Sequence, residues 1–121
     1  MKKRLLGILF CLFILKSGFS QVTINEYCCS NLATTLDNYN EYNDWVELYN
    51  ANAFNISISG YYLSDNVQEP LKWKIPSGVS IGANGYLLIW ADGRNEYTNS
   101  NLHSSFKLTQ SKKNPDWIFH F

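Results

Sequence analysis

The sequence contains little cysteine, histidine and proline, and it has no long apolar run after its first twenty residues. Three cysteines, two histidines and three prolines occur among 121 residues. The histidines, His103 and His120, lie far from the cysteine pair at 28–29 and have no ligand spacing, which argues against a zinc site. A membrane-spanning helix needs roughly 20 apolar residues, and no later segment approaches that length.

The first twenty residues have the three parts of a secretory signal peptide. A basic start is followed by eleven apolar residues (5–15), and the small residues Gly18 and Ser20 stand at −3 and −1 of a cleavage point. The alternative is an uncleaved anchor, but a lysine ends the apolar run too early for a span. We therefore expect a signal peptide at 1–20, a mature domain at 21–121 without a transmembrane segment, and secretion or display at the cell surface.

The charge of the mature segment argues against a nucleic-acid partner. Residues 21–121 carry six Lys/Arg against ten Asp/Glu, a net charge of −4. A mildly acidic surface repels phosphate backbones. We expect no nucleic-acid partner.

Cys28 and Cys29 are adjacent in a segment that reads as a strand. Neighbouring residues of a strand point to opposite faces, so we expect one buried thiol and one at the surface. A disulfide between the two, or a bridge to another molecule, stays open in an oxidising compartment.

Short alternating segments separated by turn residues dominate the mature chain. Their β-forming residues recur every eight to twelve positions, with Asn and Gly clusters between them, as in an all-β sandwich or barrel. We predict seven or eight short strands in one domain. The most apolar segment, 86–91, is expected to be a central strand covered on both faces. The strands are predicted near 21–27, 45–49, 56–63 (broken at Gly60), 71–75, 79–81, 86–91, 106–109 and 117–121.

The order of several short motifs resembles the lamin tail domain, in its bacterial secreted form. They are INE (24–26), SN (30–31), DWVELYN (44–50), ISGYYLSD (58–65), KWKIP (72–76), GYLLIWA (85–91) and LHSSFKL (102–108). The resemblance implies an immunoglobulin-like β-sandwich that is not itself an enzyme. In nuclear lamins this domain contacts proteins and chromatin, and similar bacterial domains occur in exported proteins.

The chain departs from this family pattern after Ser111. The resemblance implies a Gly-containing turn and a final strand pair, whereas here a polar stretch leads into Trp117 and four more residues. Either residues 117–121 replace the missing strand, or the closing strand is incomplete and leaves an open sheet edge. Truncation of a longer protein is a third reading.

Residues suited to catalysis are scarce. A nucleophile needs a base and a group that orients the base, yet the sequence has no Gly-x-Ser-x-Gly elbow and no phosphate-binding loop. His103 is expected to pack at a strand edge, and His120 lies next to the chain end. We therefore assign no catalytic, cofactor-binding or metal residue and expect no enzyme activity.

Two polar features remain as candidate binding sites. The loop from Asp37 to Asp44 offers three carboxylates and three amides, oxygen donors of the kind that calcium takes, without the spacing of an EF-hand. Five tyrosines exceed what a small core can bury and suit a sugar or a protein partner. They are Tyr39, Tyr42, Tyr61, Tyr62 and Tyr97. The expected function is an exported interaction or structural module with a protein or cell-surface glycan partner, the alternative being a carbohydrate-binding module.

Overall fold

The computed structural model describes residues 22–108 and 118–120, and every regular element in these residues is a β-strand. The all-β prediction is confirmed, with ten strands where seven or eight were expected. In chain order they are β1 (Val22–Cys28), β2 (Trp45–Asn50), β3 (Ile56–Ser57), β4 (Tyr62–Ser64), β5 (Trp73–Lys74), β6 (Ser80–Ile81), β7 (Tyr86–Trp90), β8 (Glu96–Thr98), β9 (Asn101–His103) and β10 (Ile118–His120).

The larger layer is a five-stranded sheet with the order β1-β2-β7-β9-β8. Its central pair is β2 with β7, which run antiparallel without interruption. The register between β1 and β2 shifts between Ile24 and Glu26, which marks a β-bulge at Asn25. In this order β1 forms one edge of the sheet among the described strands.

The second layer consists of the sheets β10-β4-β5 and β3-β6. Side chains from both layers form a single apolar core, so the described strands pack as a sandwich. Residues 118–120 pair antiparallel with β4. This short piece therefore supplies a strand to the second layer, as the first of the alternatives for the chain end predicted.

Two turns show why the chain reverses where it does. The β8–β9 hairpin turns at Asn99 and Ser100, whose φ angles of 48° and 65° suit a tight two-residue connection. Gly60, between β3 and β4, has a φ of 80°. An added Cβ there would meet Lys74 at 3.7 Å, an ordinary contact. The bend at this position requires glycine because of the backbone angle and not because of a steric clash.

Several predicted details are wrong. Leu71 is 60% exposed and precedes β5, because the segment there turns before pairing begins. Tyr86 at the start of β7 is exposed, so this strand is covered on both faces only towards its end. Phe106 is buried as expected, yet its segment makes an isolated bridge between Asp92 and Lys107 and no strand.

Candidate functional site

The register of the five-stranded sheet assigns each side chain to one of its faces. Residues opposite each other in an antiparallel pair share a face. Val46 and Leu48 of β2 are fully buried and point into the core. Trp45, Glu47 and Tyr49 therefore lie on the opposite side, called the outer face here, together with their β7 partners. These partners are Trp90, Leu88 and Tyr86.

A long polar segment, residues 30–44, covers one end of the outer face and is called the capping loop here. Trp90 and His103 share a face because β7 and β9 are in register there, and Glu96 of β8 faces His103. The backbone carbonyl of Asp44 accepts a hydrogen bond of 2.8 Å from the amide of Ala91, at the end of β7. The loop thus lies over β7, β9 and β8.

The capping loop is held in shape by its own side chains. Asp37 accepts hydrogen bonds from the backbone amides of Tyr39 (2.8 Å) and Glu41 (2.9 Å) and from the Asn43 amide (2.8 Å). Burial raises the pKa of Asp37, but these donors outweigh burial and leave that pKa below its ordinary value. Asp44 accepts from the amides of Ser30 and Asn31.

These contacts bear on the calcium hypothesis for this loop. The Asp37 and Asp44 oxygens bond to N–H donors of the protein, and Glu41 pairs with Arg94. Calcium needs six to eight oxygens that converge on one point. The loop carboxylates are instead used to fix the backbone, so the geometry does not favour calcium.

His103 occupies the centre of a buried polar cluster between the capping loop and the sheet. Its side chain is 0% exposed. Nδ1 lies 2.7 Å from an Asp92 carboxylate oxygen, and Nε2 lies 2.7 Å from the side-chain oxygen of Asn38. His103 was expected to pack at a strand edge, and it is the last residue of β9, where it is fully buried. Its polar partners, however, were not predicted.

Charged groups close the rim of this cluster. Arg94 pairs with Asp92 and Glu41 and lies 4.2 Å from the centre of the Tyr39 ring. The Tyr39 hydroxyl donates to both oxygens of Glu96, at 2.6 and 2.8 Å. That hydrogen bond lowers the pKa of Glu96 and raises the pKa of Tyr39. The ion pair between Arg94 and Glu41 and the hydrogen bond from Tyr39 to Glu96 therefore connect the loop to the sheet.

The cluster has a histidine and a carboxylate but no catalytic arrangement. A general base needs a free nitrogen beside a nucleophile, and here both ring nitrogens are engaged within the protein. The hydroxyl of the neighbouring Ser104 donates to the carbonyl of Phe106 at 2.8 Å. Asp37, Asp92 and His103 bring donor atoms within 4.8 Å of one another, as a metal site would. A metal ion would have to displace the hydrogen bonds already described.

The other end of the outer face is open. Tyr49 and Tyr86 face each other across β2 and β7 with ring centres 4.8 Å apart, and Tyr86 is 59% exposed. Glu47, two residues before Tyr49 on the same face of β2, lies opposite Glu26 of β1. Asn25 in the bulge donates to Glu47 at 2.8 Å. We call Glu26, Glu47, Tyr49 and Tyr86 the open patch.

The tyrosines singled out in the sequence divide into two groups. Tyr39, Tyr42 and Tyr97 are exposed, whereas Tyr61 and Tyr62 are half-buried in the second layer. The Tyr61 ring packs against Phe119, and Lys74 lies over Tyr62. The five do not form one cluster. Sequence reasoning missed the Tyr49–Tyr86 pair, which strict alternation in the two neighbouring strands could have revealed.

The cysteines differ from the expected arrangement. Both thiols are free and half-buried, and Cys29 packs against the core, so the division into one buried and one surface thiol is wrong. Burial, followed by the charge of Asp44, raises the pKa of Cys28 and of Cys29. A raised pKa lowers the thiolate fraction, and these thiols are therefore poor nucleophiles.

Two tryptophans differ in the partner of their indole N–H group. Trp73 donates to Asn95 at 3.0 Å and so links the second layer to the β7–β8 connection. The buried Nε1 of Trp45 has no hydrogen-bond partner among the described residues.

Together, these features define a β-sandwich in which a buried polar cluster supports one of the loops. The family model of the lamin tail domain matches residues 16–118. The chain therefore belongs to the lamin tail domain family, whose fold is an immunoglobulin-like β-sandwich. No curated protein and no solved structure matches the chain. Among the described residues, no helix is long and apolar enough to cross a membrane.

Proposed function

We propose that this lamin tail domain is an exported interaction module that holds a protein partner at the cell surface. The observation that carries the proposal is the open patch. Two carboxylates and a tyrosine pair face outward there, whereas the other polar groups of the outer face are engaged beneath the capping loop. The signal-like leader at 1–20 supports export.

Exposed aromatic rings beside polar groups are typical of protein interfaces. Tyrosine combines a large apolar area with low conformational entropy and a polar end, and it is enriched in such surfaces. A sheet face presents these side chains on a rigid support. A binding function therefore uses the outer face as it stands, without rearrangement of the core.

The experiment that tests this proposal follows the full chain in a bacterial host. Cells are fractionated and treated with a carbodiimide, which joins carboxylates to nearby lysines, and the protein is then analysed by intact mass. We expect a species without residues 1–20 in the surface or medium fraction, crosslinked through Glu26 or Glu47. Retention of the leader inside the cell would contradict the proposal, as would substrate turnover by the purified chain.

A second candidate function is carbohydrate binding. The exposure of Tyr42, Tyr86 and Tyr97 favours it, because sugar rings stack on aromatic faces as other planar and apolar groups do. A glycan array would show saturable binding that is lost on Tyr86→Ala or Tyr42→Ala. Absence of any glycan signal would leave the protein-binding function as the better account.

A further inference from the structure

The carboxylates of the open patch have fewer partners than most others in the described part of the chain. Nine carboxylates and four Lys/Arg side chains lie within 22–108. The seven carboxylates outside the open patch each have a cationic, N–H or hydroxyl partner: Asp37, Glu41, Asp44, Asp65, Glu69, Asp92 and Glu96. Glu47 has the Asn25 amide alone. Within 22–108 and 118–120, neither Glu26 nor Glu47 has a cation beside it.

The two uncompensated carboxylates stand directly opposite each other. Glu26 and Glu47 are register partners across β1 and β2. Like charges in that position destabilise a sheet. The bulge at Asn25 brings one amide to Glu47, which satisfies a hydrogen bond but does not neutralise a charge. The fold thus keeps a local negative charge that a cation from outside would neutralise.

The tyrosine pair lies next to these carboxylates on the same face. Tyr49 follows Glu47 by two residues in β2, a separation of roughly 7 Å along a strand, and Tyr86 is opposite Tyr49. Tyrosine faces attract ammonium and guanidinium groups through their ring quadrupole. The carboxylate pair and the Tyr86 ring lie two strands apart, a separation that suits two side chains of one bound segment, one at the carboxylates and one against the ring.

A groove runs along β1 beside the patch. It has a volume of about 470 Å³ and is lined by Ile24, Asn25, Glu26 and Tyr27. Because β1 is an edge strand among the described residues, its outward side can accommodate an extended segment next to Glu26. A peptide segment bound in this groove would lie along β1, with some of its side chains over the outer face.

We propose that the open patch binds an extended protein segment that carries lysine or arginine, with one cation between Glu26 and Glu47 and a second side chain of the segment against Tyr86. This inference rests on the proposed interaction function and names the chemical class of its partner. Electrostatic complementarity of this kind gives specificity and speeds association. Binding is accordingly expected to weaken as salt is added.

The test titrates the full chain, labelled with ¹⁵N, with a nine-residue peptide of alternating arginine and glycine. We expect shifts at the amides of residues 24–27, 47–49 and 86. Glu26→Gln and Glu47→Gln should each weaken binding about 3- to 5-fold, as for an exposed ion pair. Tyr86→Ala should weaken it about 2- to 5-fold through the lost ring.

Matched controls separate this site from general attraction to an acidic protein. Glu69→Gln removes the same charge from an exposed carboxylate that lies 4.0 Å from Lys72, and we expect less than about a 2-fold change, because the distant charge is screened. Tyr97→Ala removes an exposed ring elsewhere and should have no effect. Thermal unfolding of each variant verifies that it is folded.

Several results would overturn the inference. Amide shifts outside the patch on addition of the peptide would show non-specific attraction. The same conclusion would follow if Glu69→Gln weakened peptide binding as much as Glu26→Gln and Glu47→Gln do. Shifts at the patch with neutral oligosaccharide and none with the peptide would assign it to glycans. Tighter peptide binding by a variant with Lys112 and Lys113 changed to glutamine would mean that the chain's own lysines occupy the patch. If the chain is crosslinked at the surface but ignores the peptide, the partner class fails and the interaction function stands.

Discussion

The two ends of the outer face belong to one five-stranded sheet, but their charged groups have different roles. Beneath the capping loop, Asp37, Asp92 and His103 are buried and each is hydrogen-bonded within the protein. In the open patch, Glu26 and Glu47 face each other without a cation among the described residues. Charge at the covered end therefore stabilises the fold, whereas charge at the open end costs stability and is available for recognition.

This difference also explains why the histidine does not indicate an enzyme. A buried His–Asp pair is a common sign of catalysis, but here the pair holds a loop to a sheet. At the open end, Glu26 and Tyr86 are exposed and Glu47 and Tyr49 are half-buried. Burial and hydrogen-bond partners distinguish the two roles better than residue type does.

The largest expected effect comes from breaking the covered end at Asp92. Asp92→Ala removes the acceptor shared by His103 and Arg94 and leaves the imidazole buried without its carboxylate. We expect a loss of about 3–5 kcal/mol in the free energy of unfolding, measured by urea denaturation. Asp92→Asn keeps the shape and one acceptor oxygen and should lose less. A loss under about 1 kcal/mol for Asp92→Ala would contradict a structural role for the cluster.

A smaller effect, with a characteristic pH dependence, is expected at Asp37. Its pKa in the folded protein lies below the ordinary value of 3.8, so ionised Asp37 favours the fold. That contribution is present above the ordinary value and is lost as the pH falls through the lower folded value. Asp37→Asn should cost about 1–2 kcal/mol at pH 7.

The pH series supplies the control for Asp37. In urea unfolding, the wild type and Asp37→Asn should converge in stability as the pH falls below the lowered pKa of folded Asp37, where the carboxyl is protonated in both folded and unfolded chains. A constant difference between the two proteins at every pH would show that the charge of Asp37 is not what holds the loop.

Substitution of Tyr39 is expected to have a still smaller effect on stability, and it tests the hydrogen bond at the rim of the cluster. Tyr39→Phe keeps the ring beside Arg94 and His103 and removes the hydroxyl that donates to Glu96. We expect a loss of about 1 kcal/mol in thermal or urea unfolding. Tyr42→Phe, at an exposed ring in the same loop, should stay within about 0.5 kcal/mol of the wild type. Equal losses for both would contradict a specific tie between loop and β8.

The smallest effect has the opposite sign and belongs to the open patch. Glu26→Gln removes one of two opposed carboxylates and should stabilise the fold by about 0.2–1 kcal/mol. The gain should shrink in high salt, because exposed charges are then screened. Destabilisation by Glu26→Gln would show that the two carboxylates do not repel in the folded protein, and would remove one basis for the proposed cationic partner.

The sequence predicted the strands that depend on local alternation. Val46 and Leu48 alternate with polar or aromatic neighbours, and they point inward as expected. The long loop before β2 was also predicted from its polar composition. The β8–β9 hairpin was missed because its strands have three residues each, too few for a periodic signal, although Asn99-Ser100 is a turn dipeptide.

The buried cluster could not be predicted because it depends on contacts between distant residues. Asn38 and His103 are 65 positions apart and meet because β9 lies beside β7 beneath the loop. Asn50 is a second case. Asparagine is common in turns, yet Asn50 is fully buried and donates to carbonyls of Phe54, Ile81 and Gly82. Polar residues of this kind reveal their role through tertiary contacts alone.

The open patch was partly within reach of the sequence. Alternation in β2 already places Glu47 and Tyr49 on one face, away from Val46. The bulge at Asn25 was not foreseen, and it is the bulge that brings Glu26 opposite Glu47. Without that one-residue shift, the side chains beyond Ile24 would lie on the opposite faces.

Amide hydrogen exchange in the capping loop most directly tests the distinction between the covered end and the open end of the outer face. The amides of Asn31, Tyr39 and Glu41 donate to loop carboxylates. If the loop is a fixed part of the fold, these amides exchange as slowly as those in the middle of β2 and β7, through global unfolding. Fast exchange at these three amides, with β2 and β7 still protected, would show a loop that opens over His103 and would contradict the account.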